Sequence, residues 1–151
     1  MKIKKFIYKK VNNTNDLAIK IIKQGYHSGI IIAEEQKKGR GQYGRKWSSY
    51  RGNIFMSFYF NLRKKNSIKS LSRKIYIIIK ESLQKFVNEK ITIKLPNDLL
   101  IRGSKVCGIL QETIIYNKNK YFIVGIGINL IKSPKIENKQ ISFLQKYNSD
   151  K

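Results

Sequence analysis

Cysteine is almost absent from this sequence: Cys107 is the only one among 151 residues. An internal disulfide is thereby excluded, and a thiolate metal centre has no second thiol to draw on. Its place between Val106 and Gly108 predicts a small core residue and fits a reducing compartment. Long apolar runs are missing too. Nowhere do about eighteen such residues follow one another. The opening MKIKKFIYKK has neither the apolar stretch nor the small-residue cleavage site of a secretory signal. The expectation is a soluble, cytoplasmic protein with no membrane partner. Internal repeats are also lacking.

Acidic residues are scarce: 9 Asp plus Glu face 32 Lys plus Arg, for a formal net charge of +23. Such a field attracts polyanions, ATP and acidic proteins among them. The lysines, however, run through every segment alongside Ile and Asn. A chain-wide compositional bias explains that spread better than a nucleic-acid patch does. At this length and 41% hydrophobic composition the chain can bury one core, so a single domain is expected.

Periodicity places the elements. Phe6 to Val11 predicts a first strand, and Thr14 to Lys23 a helix with Leu17, Ile21 and Ile22 at helical spacing, ended by Gly25. Gly29 to Glu34 is a short apolar run, and the glycine-punctuated basic stretch from Gln36 to Gly52 predicts a loop. Asn53 to Leu62 alternates, with Ile54, Met56, Phe58 and Phe60 on one side and Phe55, Ser57 and Tyr59 on the other. The longest helix is expected over Ile68 to Glu89, on the spacing of Leu71, Ile75, Ile78, Ser82, Leu83, Phe86 and Val87, with a serine before it. Short strands at Thr92 to Leu95 and Leu99 to Ile101, a turn at Arg102 to Ser104, and longer strands near Val106 to Ile115 and Tyr121 to Leu130 follow. From Lys132 the chain is polar. The order predicts an α+β domain with a mixed or antiparallel sheet and helices packed on it.

Four stretches carry chemistry. In Gly39-Arg40-Gly41-Gln42-Tyr43-Gly44-Arg45-Lys46-Trp47, glycines permit close backbone approach to an anion while arginine offers planar donors to phosphate or carboxylate. Such a loop wraps a nucleotide, or it is a solvated basic hairpin; its spacing is neither a P-loop nor a dinucleotide fingerprint. Asn12-Asn13-Thr14-Asn15 opens the first helix, where capping is the plain use of Thr14. Lys94-Leu95-Pro96-Asn97-Asp98 sets a cation, an amide and a carboxylate around a proline bend that could equally be a polar turn. Gly103 to Glu112 starts a hairpin strand with Lys105, or simply a solvated strand end.

In this fixed order, the Trp47 loop, Gly52-Asn53-Ile54-Phe55-Met56-Ser57, KLPNDLLI, SKVCGILQET and VGIGINL resemble biotin protein ligases over about Asn12 to Leu130. The resemblance implies the class II aminoacyl-tRNA synthetase-like biotin/lipoate ligase catalytic fold over residues 1–131, with 132–151 as a short polar tail. It also implies activation of biotin by ATP to biotinyl-AMP, with Mg2+, and transfer to a lysine of a biotin carboxyl carrier protein such as that of acetyl-CoA carboxylase. A homodimer is compatible with it. By the same match Lys105, Lys94 and Arg45 are the catalytic candidates. Asn13, Thr14, Asn15, Gln36, Gly39, Arg40, Gly41, Gln42 and Lys105 would hold biotin. Arg40, Arg45, Trp47, Asn97 and Asn129 would hold the nucleotide, with Asp98 a weak metal candidate.

The match departs in places. Gln42 stands where the family commonly has arginine, which predicts a leakier intermediate; Asn12 and Asn13 replace Asp-Ser, and Leu95 replaces tryptophan. Relatives usually continue past GIGIN into a further domain, and some carry a DNA-binding segment ahead of the catalytic part. Neither is seen in this sequence, so a reduced ligase, a fragment or a relic that binds biotin without transferring it are all to be weighed. A lipoate-ligase-like acyl ligase and a basic nucleic-acid-binding domain are the other readings.

Overall fold

A computed structural model describes residues 3–62 and 67–148. The sheet has seven strands: β1 (Lys4–Val11), β2 (Ser28–Gln36), β3 (Ile54–Asn61), β4 (Ile91–Lys94), β5 (Asp98–Ile101), β6 (Ser104–Tyr116) and β7 (Asn119–Ile128). They lie in the order β1-β2-β3-β7-β6-β5-β4. β1 and β2 run parallel and every other neighbouring pair antiparallel, giving the expected mixed sheet. Two helices cover it, α1 (Thr14–Lys23) on one face and α2 (Ile68–Gln84) on the other.

The pleat assigns side chains to those faces. On β7, Phe122, Val124, Ile126 and Ile128 enter the larger core with Ile75, Ile79 and Leu83 of α2. Tyr121 and Ile123 pack instead with Tyr59 of β3 and with Ala18, Ile21 and Ile22 of α1. Beyond Ile123 the α1 face of β7 changes character, because its next two positions are Gly125 and Gly127. Their cross-strand neighbours are Ser57 and Phe55 on β3, and Leu110 and Gly108 on β6. The face is therefore filled under α1 and hollow past its N-terminus.

α1 begins and ends as periodicity predicts, but its cap is Asn13: the side-chain oxygen accepts from Asp16 N at 2.8 Å. Thr14, for which capping was the plain reading, is the first helical residue and is released for other contacts. α2 stops at Gln84, five residues before the predicted Glu89. The Gln84 amide turns the chain there, donating to the carbonyls of Val87 and Glu89 while its oxygen accepts from Ile91 N at 2.8 Å. Along α2, Ile75 and Leu83 are buried as expected, but Ile78 is 60% exposed and Tyr76 and Ile79 turn inward; Phe86, beyond the helix end, is 69% exposed. The Tyr76 hydroxyl donates to the Pro96 carbonyl, which draws that face of the helix towards the bend before β5. Cys107 is in the core as predicted, and burial pushes its thiol up to about 12, so it stays protonated.

The stretch after Leu130, expected as a polar tail, is built onto the body through residue 148; residues 149–151 lie outside the described part. Leu144 is buried in the α2-side core. Lys105 N donates to Gln140 O, Ser142 N to Lys105 O and Leu144 N to Asn129 O, at 2.8 to 2.9 Å. The boundary expected at residue 131 thus coincides with no break in packing. Asn53 holds the exit from β7, its side-chain oxygen accepting from the backbone of Leu130, Ile131 and Lys132.

Candidate active site

The hollow of the α1 face is a cavity of about 490 Å³, a size suited to small-molecule ligands. Its floor is opened by glycines of β6 and β7. A Cβ on Gly127 would come within 2.5 Å of the Trp47 indole, one on Gly108 equally close, and one on Gly125 within 2.4 Å of Asn15 Oδ1. Only glycine lets the indole and Asn15 sit where they do. Every residue expected at the site lines this cavity except Gly39. A Cβ on Gly39 would meet the Trp47 carbonyl at 2.6 Å, so its place is in the wall that closes the loop.

One end is built from amides and hydroxyls at the start of α1. Thr14 N donates to Gln36 Oε1 at 2.9 Å, and Gln36 Nε2 donates to Ser49 Oγ at 3.3 Å. Ser57 Oγ donates to Asn15 Oδ1 at 2.6 Å and lies 2.7 Å from Thr14 Oγ1. Asn15 Nδ2 donates to Glu112 at 2.7 Å. Arg40 is drawn to this end: its Nη2 lies 2.7 Å from Asp16 and 3.1 Å from Glu112. Partial burial works against the guanidinium charge, but hydrogen bonds to Glu112 and Asp16 and their charges outweigh it and hold its pKa above the ordinary value. Linked in this way, the groups stay oriented without a ligand.

The other end is cationic. Lys94, Lys105 and Lys139 line it, with Asp98 the one lining carboxylate among the described residues, while Arg45 and Lys46 line the loop wall between the ends, Lys46 paired with Arg40 across the hairpin. Lys105 Nζ sits 2.7 Å from Asp98 and 5.2 Å from the centre of the Trp47 ring. A shift in the β5–β6 register brings Lys105 there: Leu99 pairs with Cys107 but Leu100 with Lys105, which leaves Val106 as an extra residue. The bulge turns Lys105 onto the face of Gly108, which regular alternation would deny it. Among the described residues, Trp47 Nε1 and Asn129 Oδ1 are buried here without a hydrogen-bond partner. Asn129 is only 1% exposed and its Nδ2 donates to Ser142 O at 3.1 Å, so one half of the amide holds the chain and the other faces a vacant acceptor role.

The loop between the ends is closed on itself. Gly41 N donates to Arg45 O at 2.7 Å and Trp47 N to Gly39 O at 2.9 Å. Tyr43 and Gly44 at its tip adopt positive φ, and the Tyr43 ring is exposed. The hairpin reading and the ligand-loop reading of this stretch are thus compatible: it is a hairpin whose inner side forms a cavity wall.

A profile of the biotin/lipoate A/B protein ligase family matches residues 6–129. The chain belongs to that family. It is 33% identical over 123 residues to the bifunctional ligase/repressor BirA of Escherichia coli, covering 80% of this chain and 38% of that protein. Over 131 residues it is 30% identical to the biotin–acetyl-CoA-carboxylase ligase of Paracoccus denitrificans, covering 83% of this chain and 54% of the relative. The fold superposes on biotin protein ligase from Leishmania major in complex with biotinyl-5-AMP with a TM-score of 0.84, at 21% identity, over 97% of this chain and 65% of that one. On the Aquifex aeolicus biotin protein ligase in complex with biotin and ATP the TM-score is 0.77 at 26% identity, over 97% and 63%. The chain therefore spans well under two thirds of the curated relatives it matches.

Several contributors were not singled out from the sequence. Asp16 and Glu112 pin Arg40, Ser57 joins the amides, and Ile136, Gln140 and Ile141 add a wall from the stretch after β7. For the glycines a signal existed. Gly125 and Gly127 alternate within a strand, and glycine inside a strand marks a close approach. For Asp16, Glu112 and the wall there was none, since charge and polarity at those positions read equally well as solvated surface.

Proposed function

We propose that this chain activates biotin with ATP to biotinyl-AMP and transfers the biotinyl group to a lysine of a biotin carboxyl carrier protein, in the cytoplasm. One observation carries the reading: a single cavity joins an amide-lined end, suited to a ring with donors and acceptors, to a cationic end suited to a triphosphate. In the first step a carboxylate oxygen attacks the α-phosphorus, the bond to the β-phosphate oxygen breaks, and pyrophosphate leaves. In the second a neutral lysine amine attacks the acyl carbon, the bond to AMP breaks, and the amine gives up a proton. Two anions must meet in the first step, so the residues that matter supply fixed positive charge where negative charge accumulates.

Lys105 is the first such residue, reaching the α-phosphate region once it exchanges Asp98 for substrate; Arg45 and Lys94 flank it. Asn13, Thr14 and Gln36 serve the ring, and the indole of Trp47 gives the adenine a flat wall with Nε1 and Asn129 Oδ1 as free polar atoms. Magnesium enters with the triphosphate as part of the substrate, which supplies most of its oxygen ligands. Among the described residues no cluster of three or more metal-capable side chains exists, and Asp98 is the carboxylate within reach.

The test incubates the protein with labelled biotin, MgATP and a carrier domain. Carrier labelling is expected, and Lys105→Ala should lower it at least about a hundredfold, the scale of removing one transition-state donor. Labelling from lipoate and not from biotin would move the protein to the lipoate branch. Biotin binding without adenylate would mark a non-transferring relic, and salt-sensitive oligonucleotide binding without biotin binding would favour the nucleic-acid reading.

A further inference from the structure

The cavity has a direction that its catalytic residues do not explain. At the amide end the N-terminus of α1 carries the partial positive charge of a ten-residue helix, and Arg40 stands beside it. A helix N-terminus with a guanidinium at its mouth is an anion site, and a carboxylic acid would bind there carboxylate first, with its reactive group turned away from ATP. Two carboxylates stand against this. Asp16, in the first turn of α1, and Glu112, on β6, both bond Arg40 from behind and do not line the cavity. Each is held in turn: Asp16 Oδ2 accepts from Asn13 Nδ2 at 2.5 Å, and Glu112 Oε2 from Asn15 Nδ2 at 2.7 Å. The cluster thus sets the Arg40 guanidinium against two carboxylates, with the exposed Lys46 opposite Arg40 on the hairpin. Along β6, Glu112 and Lys105 are about 20 Å apart. In a chain of net charge +23 with 9 acidic residues, spending two of them behind one arginine is a local cancellation of field.

Building on the ligase reading, we infer that Asp16 and Glu112 are positioning residues which set the direction of the acid substrate: they cancel the positive field of Arg40 and of the α1 N-terminus, so a neutral head enters there and the carboxylate is left at the Lys105 end. A second negative charge at the head would lose its hydration there without an uncancelled guanidinium to replace it, and is disfavoured. Arg40 remains useful as an oriented N–H donor and loop anchor while its charge is cancelled. The class of substrate admitted is a monocarboxylic acid with an uncharged, hydrogen-bonding head.

Trp47 is the only tryptophan, so its fluorescence reports on the cavity without background. Biotin and octanedioate, a dicarboxylate of similar reach, are titrated against the wild type, Asp16→Asn, Asp16→Glu and the double variant Asp16→Asn with Glu112→Gln. Circular dichroism checks the fold of each. The wild type should bind biotin and reject octanedioate. The double variant should shift the affinity ratio towards octanedioate by about tenfold or more, as expected when two charges within contact range are removed. Asp16→Asn should give a smaller shift in the same direction, and Asp16→Glu should restore the wild-type ratio. Asp16 is partly exposed, so its single variants keep the test open if the double variant does not fold. Biotin binding with an unmoved ratio in folded variants overturns this inference alone. No response of the wild type to biotin overturns the ligase reading, and this inference with it.

Discussion

Two halves of one sheet face share the same strands and differ in what the strands carry. Under α1, β7 presents Tyr121 and Ile123, both without exposed area, against Ala18, Ile21 and Ile22. Past the helix N-terminus the same strand presents Gly125 and Gly127, whose missing side chains leave room for Asn15 and Trp47 and for the cavity beside them. The backbone pairing is continuous across both halves, with β3 on one side and β6 on the other. A rigid floor therefore need not be a filled one: the ladder holds the strand, and side-chain volume decides whether the space above is core or site.

If that division holds, damage to the filled half should cost stability and damage to the hollow half should cost binding. Ile22→Ala, in the filled half, is expected to cost about 3 kcal/mol in urea unfolding, with biotin affinity retained by the folded fraction. A loss of affinity larger than the unfolding explains would break the comparison. Gly127→Ala, in the hollow half, should displace the indole, shift Trp47 emission, and weaken ATP-dependent adenylate formation by about fiftyfold or more, while stability changes by less than about 1 kcal/mol. Unchanged emission and activity would show that the close approach is not required. Gln42→Arg returns a guanidinium to the loop and should slow release of biotinyl-AMP by about three- to tenfold, measured as trapping of the intermediate by free amine. Equal release rates would remove Gln42 as a cause of leakiness.

Much of this organisation could be read in advance. α1 runs over Thr14–Lys23 as its periodicity predicts, because a short amphipathic helix with Asn13 before it and Gly25 after it carries its own start and stop signals. α2 was harder. Apolar residues lie on more than one of its sides, and Ile78 competes on paper with Tyr76 and Ile79 for the buried stripe. The side that turns inward is the one on which Ile75, Ile79 and Leu83 join the core and Tyr76 bonds the Pro96 carbonyl, contacts made with distant parts of the chain. The stretch after Leu130 is polar in composition, yet Leu144 is buried in the core, Tyr147 packs against it, and backbone bonds tie the stretch to Lys105 and Asn129. Backbone bonds leave no mark on composition.

The same split runs through the site. Residue types and their order were sufficient to name candidates that, Gly39 apart, all line the cavity, since anion handling and amide recognition demand particular functional groups and those groups occur in motifs. Family membership follows from that order as well. What required the folded chain was where each charge ends up. Lys105 reaches the cavity face through a bulge at Val106, a matter of pairing between β5 and β6 that alternation along one strand contradicts. Arg40 lies between Asp16 and Glu112, residues 24 and 72 positions away, so its charge is cancelled only when α1, β2 and β6 are assembled. Chemistry is a property of side chains and can be read locally; the field at a site is a sum over neighbours, and neighbours are decided by tertiary structure.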